Sequence, residues 1–248
     1  MENYEILVLL IAGIISGMVN TIAGGGSLLT LPILIFLGLP PSIANGTNRI
    51  QLIFQNIFAV YGFKSKGISN YKFSSWLSFT AILGSLLGAK IAIDFPEELF
   101  KKVLSVIMIF VMITIFLKKN NDIISDTKKI KNKTLSILLF FFVGLYGGFI
   151  HAGVGFLMIL ILSGINNLKL SHINSIKVFV ALIFSIFAFI VFIFEDKIYW
   201  LYGINIGVGS AIGGWIASRW SYNKSDFTIK IILGIIITFM SVKLWFFS

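Results

Sequence analysis

The chain has 248 residues, of which 57% are hydrophobic and only 12% charged, and its mean hydropathy is +0.97. No soluble domain of this size has that composition, so the sequence reads as a polytopic membrane protein. A net charge of +10 would suit nucleic acid, but the basic residues lie mostly in loops between apolar runs, where membrane topology accounts for them.

Cysteine is absent, which excludes disulfides, thiol catalysis and thiolate metal sites. The opening Met1-Glu2-Asn3-Tyr4-Glu5 is acidic, whereas a secretory signal opens with positive charge, so the first apolar segment is expected to be retained.

In chain order, apolar segments fall near 6–22, 28–37, 43–63, 74–93, 99–117, 135–150, 156–165, 173–194, 198–217 and 227–247. A span needs about 20 residues. Six segments meet that measure: 43–63, 74–93, 99–117, 173–194, 198–217 and 227–247. The other four form two glycine-interrupted pairs, 6–22 with 28–37 and 135–150 with 156–165, each with a second member too short to cross.

The first interruption is Val19-Asn20-Thr21-Ile22-Ala23-Gly24-Gly25-Gly26-Ser27. Each glycine costs roughly 1 kcal/mol in helix propensity. In a bilayer, backbone freed from a helix must be buried in protein or line a wet cavity.

The two halves of the chain align. Gly13-Ile14-Ile15-Ser16-Gly17 matches Gly144-Leu145-Tyr146-Gly147-Gly148, which sets Asn20 opposite His151. After a two-residue gap, Gly24, Gly25 and Gly26 face Gly153, Val154 and Gly155. The register then pairs Ser42 with Ser171, Asn45 with Asn174, Asn48 with Lys177, and Gly84 and Gly88 with Gly209 and Gly213. The expected fold is an all-α polytopic membrane protein of two structural repeats, about eight membrane segments by conventional count. An N-terminal repeat (1–117) and a C-terminal repeat (135–248) flank a basic linker at 118–134.

Parity decides whether the repeats are parallel or inverted. Lys118, Lys119, Lys128, Lys129, Lys131 and Lys133 make the linker cytoplasmic by the positive-inside rule, and Lys64, Lys66 and Lys72 join it under either topology. If each broken pair is a hairpin, the loops at Lys169 and at Arg219 and Lys224 are cytoplasmic as well. The acidic turns Asp94–Glu98 and Glu195-Asp196 then face outward with the N-terminus. Charge therefore favours two inverted repeats, each a glycine-broken hairpin plus three transmembrane helices, with both termini on the same side.

All ten acidic residues lie at segment ends or in loops. Intramembrane Asp and Glu commonly serve cation carriers, so their absence weakens a cation reading, although backbone carbonyls can also hold Na⁺. Asn45, Asn48, Arg49, Gln55 and Asn56 share about a third of one helix circumference, and Asn174, Lys177 and Ser185 share a stripe on another. Backbone N–H groups after Gly26 and Gly155 would add donors, as helix N-termini do at anion sites. Donors and a cation without a carboxylate specify an anion.

The expected contacts are Asn20, Gly24, Gly25, Gly26, Ser27, Asn45, Asn48, His151, Gly153, Gly155, Asn174 and Lys177, with Lys177 as countercharge. Against these stand simpler readings: Gly13/Gly17, Gly84/Gly88, Gly144/Gly148 and Gly209/Gly213 as packing faces, Asn45 and Asn174 as caps, and Arg49, Lys177 and Lys90 as snorkelling cations. His151 reads equally as a structural or a pocket residue. It is also the one embedded group whose unperturbed pKa lies near neutrality, should a proton be coupled.

Gly24-Gly25-Gly26-Ser27 with Leu31-Pro32, Ala44-Asn45-Gly46-Thr47-Asn48-Arg49, Gly147-Gly148-Phe149-Ile150-His151-Ala152-Gly153-Val154-Gly155 and Asn174-Ser175-Ile176-Lys177 together resemble the TauE/SafE sulfite exporter family, also called the 4-toluene sulfonate uptake permease family. The resemblance covers nearly the whole chain and implies carriers with about eight helices in two repeats that move sulfite, sulfonates or sulfoacetate. Two departures set this chain apart: Gly-Val-Gly replaces three glycines in the second half, and His151 stands where members often carry a small residue.

The expected function is a secondary transporter of a small anion, a sulfur-containing oxyanion such as sulfite, thiosulfate or an organosulfonate, in the cell membrane, working by alternating access at a midplane site, with a passive anion or small-solute channel as the alternative. No cofactor, metal or nucleic-acid partner is expected. Direction, coupling ion and the choice between monomer and homodimer stay open. Against an enzyme stand the lack of a carboxylate pair and of cysteine, with only His151 and His172 to serve as base, as in a Ser–His dyad such as Ser27–His151; no nucleotide-binding motif appears, so ATP is not the evident energy source.

Overall fold

In the computed structural model, residues 3–68, 70–117, 130–220 and 227–246 are described. Among them are ten helices and no strand: α1 (Asn3–Ile22), α2 (Ser27–Phe36), α3 (Pro41–Lys64), α4 (Tyr71–Ile93), α5 (Glu97–Leu117), α6 (Lys133–Phe149), α7 (Val154–Gly164), α8 (Leu170–Phe194), α9 (Trp200–Trp220) and α10 (Phe227–Phe246). The ten expected segments map onto these in order. By length and apolarity alone, three of the described helices suffice to cross a bilayer: Tyr4–Ile22, Tyr71–Ile93 and Leu170–Phe194. Two of the six expected spans, α4 and α8, are among them. The third, α1, is expected above as the longer member of a broken pair, and it is a full-length helix because the chain stays helical up to the glycines.

Both breaks turn the chain back. Gly24 has φ +89° and Gly153 φ +75°, the left-handed region that glycine enters without strain. The Gly26 N–H donates to Asn20 Oδ1 (3.3 Å), so the start of α2 lies back against the last turns of α1. At the second break the Tyr146 hydroxyl donates to the Ala152 carbonyl.

Most helix pairings occur twice. α1 packs on α9 and α6 on α4; α3 packs on α9 and α8 on α4; α2 lies against α3 and α7 against α8. α3 also packs on α8, and α5 on α10. The duplication reaches atomic detail at the glycines. A Cβ on Gly84 would stand 2.0 Å from the Phe141 carbonyl oxygen, and one on Gly209 would stand 2.2 Å from that of Leu10. Gly88 meets Leu145 as Gly213 meets Ile14, and Gly148 meets Ser85 as Gly17 meets Ser210. Small residues let the backbones touch, which drives helix association where lipid is as apolar as any side chain.

Specific contacts give the helix directions. Tyr199 N–H donates to Thr47 Oγ1 (2.8 Å), so the start of α3 lies beside the end of α8. Ser175 Oγ donates to the Ile68 carbonyl (2.7 Å), so the start of α8 lies beside the end of α3. The corresponding helices α3 and α8 are therefore antiparallel. The same contacts gather basic loops at one end: Lys66 Nζ donates to the Arg219 carbonyl, and Asn166 Nδ2 to that of Lys131 (2.5 Å). Lys118, Lys119, Lys128, Lys129 and Lys224 lie outside the described residues.

The two seams should fail alike. Gly84→Val and Gly209→Val each insert a branched side chain into backbone contact, and each is expected to cost about 1–3 kcal/mol. Thermal unfolding in a mild detergent checks this, with the exposed Leu83→Val as the control expected to leave the midpoint unchanged.

Candidate functional site

The two helix breaks create a local problem of chemistry. A helix end leaves four backbone carbonyls without partners, and inside a bilayer no water supplies donors. At the end of α6 all four are satisfied. Tyr146 O accepts from Ile150 N–H (2.9 Å), Gly147 O from Arg49 Nη1 (2.6 Å), Gly148 O from Arg49 Nη2 (2.7 Å) and Phe149 O from Asn45 Nδ2 (2.7 Å). Asn45 Oδ1 in turn accepts from Arg49 Nη2 (3.0 Å), and the guanidinium lies 5.3 Å from the Phe192 ring centroid. Arg49 is 0% exposed. The snorkelling reading of Arg49 is therefore corrected: its fork is spent on a helix C-terminus, where the macrodipole also favours a cation.

The end of α1 has the matching arrangement from the other half. Lys177 Nζ, on α8, donates to the Thr21 carbonyl (3.0 Å) and to Asn174 Oδ1 (2.9 Å). Lys177 is 3% exposed, so it does not snorkel either. A ladder of amides ties α3 to α1: Asn20 Nδ2 to Gln55 Oε1 (2.5 Å), Gln55 Nε2 to Thr21 Oγ1 (2.9 Å) and Gln51 Nε2 to Ser16 Oγ (3.2 Å).

Between the breaks lies a cavity of about 10 Å³, room for a water-sized occupant. Asn20, Asn56, His151, Gly155 and Lys177 supply its polar and backbone lining, and Val154, Met158 and Ala181 close it. Lys177 stands seven residues into α8 and Asn56 eight residues before the end of α3, so at 1.5 Å per residue the cavity lies roughly 10–12 Å from the basic end. It extends from there to Ala181, eleven residues into the 25-residue α8 and so near its middle.

The tips of the two breaks touch beside it. Gly155 N–H donates to Gly24 O (3.2 Å), and a Cβ on Gly155 would stand 2.2 Å from Gly24 Cα. Gly25 is filled against the Phe156 ring and Gly26 against Ser16, so each glycine of the triplet has its own packing partner.

Several buried polar atoms here have no hydrogen-bond partner among the described residues: Asn48 Nδ2, Asn56 Nδ2, Asn174 Nδ2, Arg49 Nε, both ring nitrogens of His151, and the hydroxyls of Ser27 and Ser185, with Gln51 Oε1 as an unmatched acceptor. Each unmade bond costs about 1–3 kcal/mol. No Asp or Glu is buried among the described residues. The balance is an excess of donors and positive charge.

The profile of the family described as Sulfite exporter TauE/SafE matches residues 9–244. The chain belongs to that family. Among its relatives are probable membrane transporter protein ORF9 of Sinorhizobium sp (27% identical, covering 95% of this chain and 90% of the relative) and a probable membrane transporter protein of Haemophilus influenzae (28%; 96% and 93%). A third is the probable membrane transporter protein YjnA of Bacillus subtilis (26%; 97% and 99%). No solved structure matches. This TauE/SafE chain is a multi-pass integral membrane protein of a transporter family.

Of the twelve residues expected at the site, the family member's structure brings Asn20, His151, Gly155 and Lys177 to one cavity, with Asn174 holding Lys177 and Gly24 against Gly155. Asn45 holds the α6 terminus. Asn48 Oδ1 accepts from Thr30 Oγ1 (2.7 Å). Of the backbone donors expected after the glycines, Leu28 and Leu29 N–H go to the Gly25 and Gly26 carbonyls (3.1 and 3.0 Å) and Phe156 N–H to the Gly153 carbonyl (3.0 Å). Ser27 is buried at 1% exposure, Gly25 and Gly26 pack as above, and Gly153 lies against Val111. Sequence reasoning left out Asn56 and gave Arg49 no buried role. The signal was present: Asn56 follows Arg49 by seven residues on the same helix face, and the register sets Asn56 opposite Ser185, another unpartnered group.

Removing the guanidinium exposes the cost of the break. Arg49→Met leaves the Gly147 and Gly148 carbonyls without donors, about 1–3 kcal/mol each, and Arg49→Lys should recover only part because one ammonium cannot span the fork. Melting temperatures in detergent should rank wild type, Arg49→Lys and Arg49→Met in descending order.

Proposed function

We propose that this chain is a secondary transporter of a small anion, a sulfur-containing oxyanion such as sulfite, thiosulfate or an organosulfonate, working by alternating access. The observation that carries the reading is the donor excess around the cavity: Lys177, Asn56 and His151 line it, and no described carboxylate is buried to balance them. A tetrahedral oxyanion supplies several acceptors and the missing charge. Asn20, Asn56, His151 and Lys177 form its contact set, with Asn174 positioning Lys177. Of the other expected contacts, Asn45 holds the α6 terminus and the glycines bring the two breaks together, while Asn48 is bonded to Thr30 and the Ser27 hydroxyl has no partner among the described residues.

The mechanism rests on two inverted repeats, 1–117 and 135–248, joined by the basic linker 118–134. The antiparallel course of α3 and α8, the duplicated helix pairings and the basic loops gathered at one end support inversion. By the positive-inside rule the basic end is cytoplasmic. Inverted repeats exchange conformations and so move a shared site between faces. A cavity this small is a closed state, and separation of the Gly24 and Gly155 tips is the movement that admits an anion.

Lys177→Met is expected to lower uptake in proteoliposomes at least tenfold while the protein still inserts and melts cooperatively. Normal transport by the variant would remove the electrostatic basis of the reading. A binding screen of sulfite, thiosulfate, sulfonates and short carboxylates names the anion, and tight binding of a cation with no anion would sink the proposal. Counterflow separates the carrier from a passive channel, which shows none.

A further inference from the structure

Resting on the anion reading above, we propose that His151 carries a proton with the anion, making the protein an anion–proton symporter. His151 stands at the second break, where the chain holds it at φ +40°, a left-handed conformation uncommon for a residue other than glycine. Its ring is 3% exposed, lies 5.3 Å from the Phe184 ring centroid, and has no hydrogen-bond partner on either nitrogen among the described residues. A packing histidine usually spends one N–H on a carbonyl. This one keeps both nitrogens for the cavity that it lines with Lys177.

The charges facing the ring explain why proton and anion would move together. Lys177 on α8 lines the same cavity. Arg49 on α3 is bonded to the Gly147 and Gly148 carbonyls, four and three residues before His151. Tyr146 on α6 commits its hydroxyl to the Ala152 carbonyl. Two cations and no buried carboxylate oppose a third positive charge at His151. An anion between Lys177 and His151 removes that opposition and accepts a hydrogen bond from the protonated ring. Each ligand therefore strengthens the other's binding, and the coupling is reciprocal. The proton enters on one ring nitrogen from the side to which the site is open and leaves from it to the opposite side with the anion.

The chain has two histidines, and the other, His172, is exposed, so His172→Gln leaves a single imidazole to observe. Nitrogen-15 histidine NMR of that full-length variant in nanodiscs follows the ring directly, with thiosulfate, methanesulfonate and sulfite as probes. Binding of each is measured separately by calorimetry in two buffers of different ionisation enthalpy. At neutral pH the anion that binds should convert the His151 signal from neutral imidazole to imidazolium, with uptake of close to one proton per anion in the calorimeter. In proteoliposomes an inward gradient of that anion should acidify the lumen, and in His151→Gln any residual anion flux should carry no proton. Saturating anion with an unchanged imidazole signal and no proton uptake overturns the coupling and leaves the anion carrier standing. If none of the probes binds, the anion reading falls and this inference with it.

Discussion

The structure depends on one constraint: a helix interrupted inside the bilayer must still satisfy its backbone. The four terminal carbonyls of α6 find Ile150 N–H, two Arg49 nitrogens and Asn45 Nδ2. Every one of those side-chain donors comes from the other half of the chain. The end of α1 is served the same way, by Lys177 from α8. Neither break can form without the opposite half in place, so the constraint that satisfies the backbone also welds the halves together. The glycine seams follow from it, because α6 and α1 must lie where α3 and α8 can reach their ends. The close approaches of Gly84 to Phe141 and of Gly209 to Leu10 set those positions.

The two cations are therefore not equivalent. Arg49 gives three hydrogen bonds in a planar fork to two carbonyls and one amide, a geometry no single ligand reproduces. Lys177 is a point charge on a flexible stem, holding a carbonyl and an amide oxygen while lining the cavity. An oxyanion can share that ammonium with its present partners. Rigid bidentate capping on one side and an adaptable charge on the other divide structure from binding between two pseudo-equivalent places.

Much of this was legible in the sequence. The ten helices, the two breaks and the register of the halves follow from apolar run length and glycine spacing, and the seams of Gly13/Gly17 with Gly209/Gly213 match that register pair for pair. Lys177, His151 and Asn20, which line one cavity, stand out in the sequence because they are polar, embedded and beside or aligned with a break. What stayed hidden needed three dimensions. Asn45 and Arg49 look like binding residues or headgroup contacts until their partners Gly147, Gly148 and Phe149, about a hundred positions away in the chain, are known. The N–H groups anticipated as free after the glycines are occupied by local turns, Leu29 N–H on Gly26 O and Phe156 N–H on Gly153 O, and the breaks meet each other as well, Gly155 N–H on Gly24 O, a contact that no local pattern encodes.

The chemical asymmetry between the halves bears on direction of movement. The backbone is duplicated, yet the register sets Asn20 against His151 and Asn48 against Lys177. In each pair the first half keeps a neutral amide and the second half places an ionisable group. An exchange of conformations between symmetric backbones would therefore not produce chemically identical outward and inward states. Lys177 and His151 both belong to the second half, so under the proposed exchange the environment of the charge would change with the state. The tips at Gly24 and Gly155 can press backbone to backbone only because neither carries a Cβ, which lets a closed state exclude everything larger than a water from the cavity. The proposed carrier requires such closure and a channel does not, and the close contact of Gly24 with Gly155 is what would supply it.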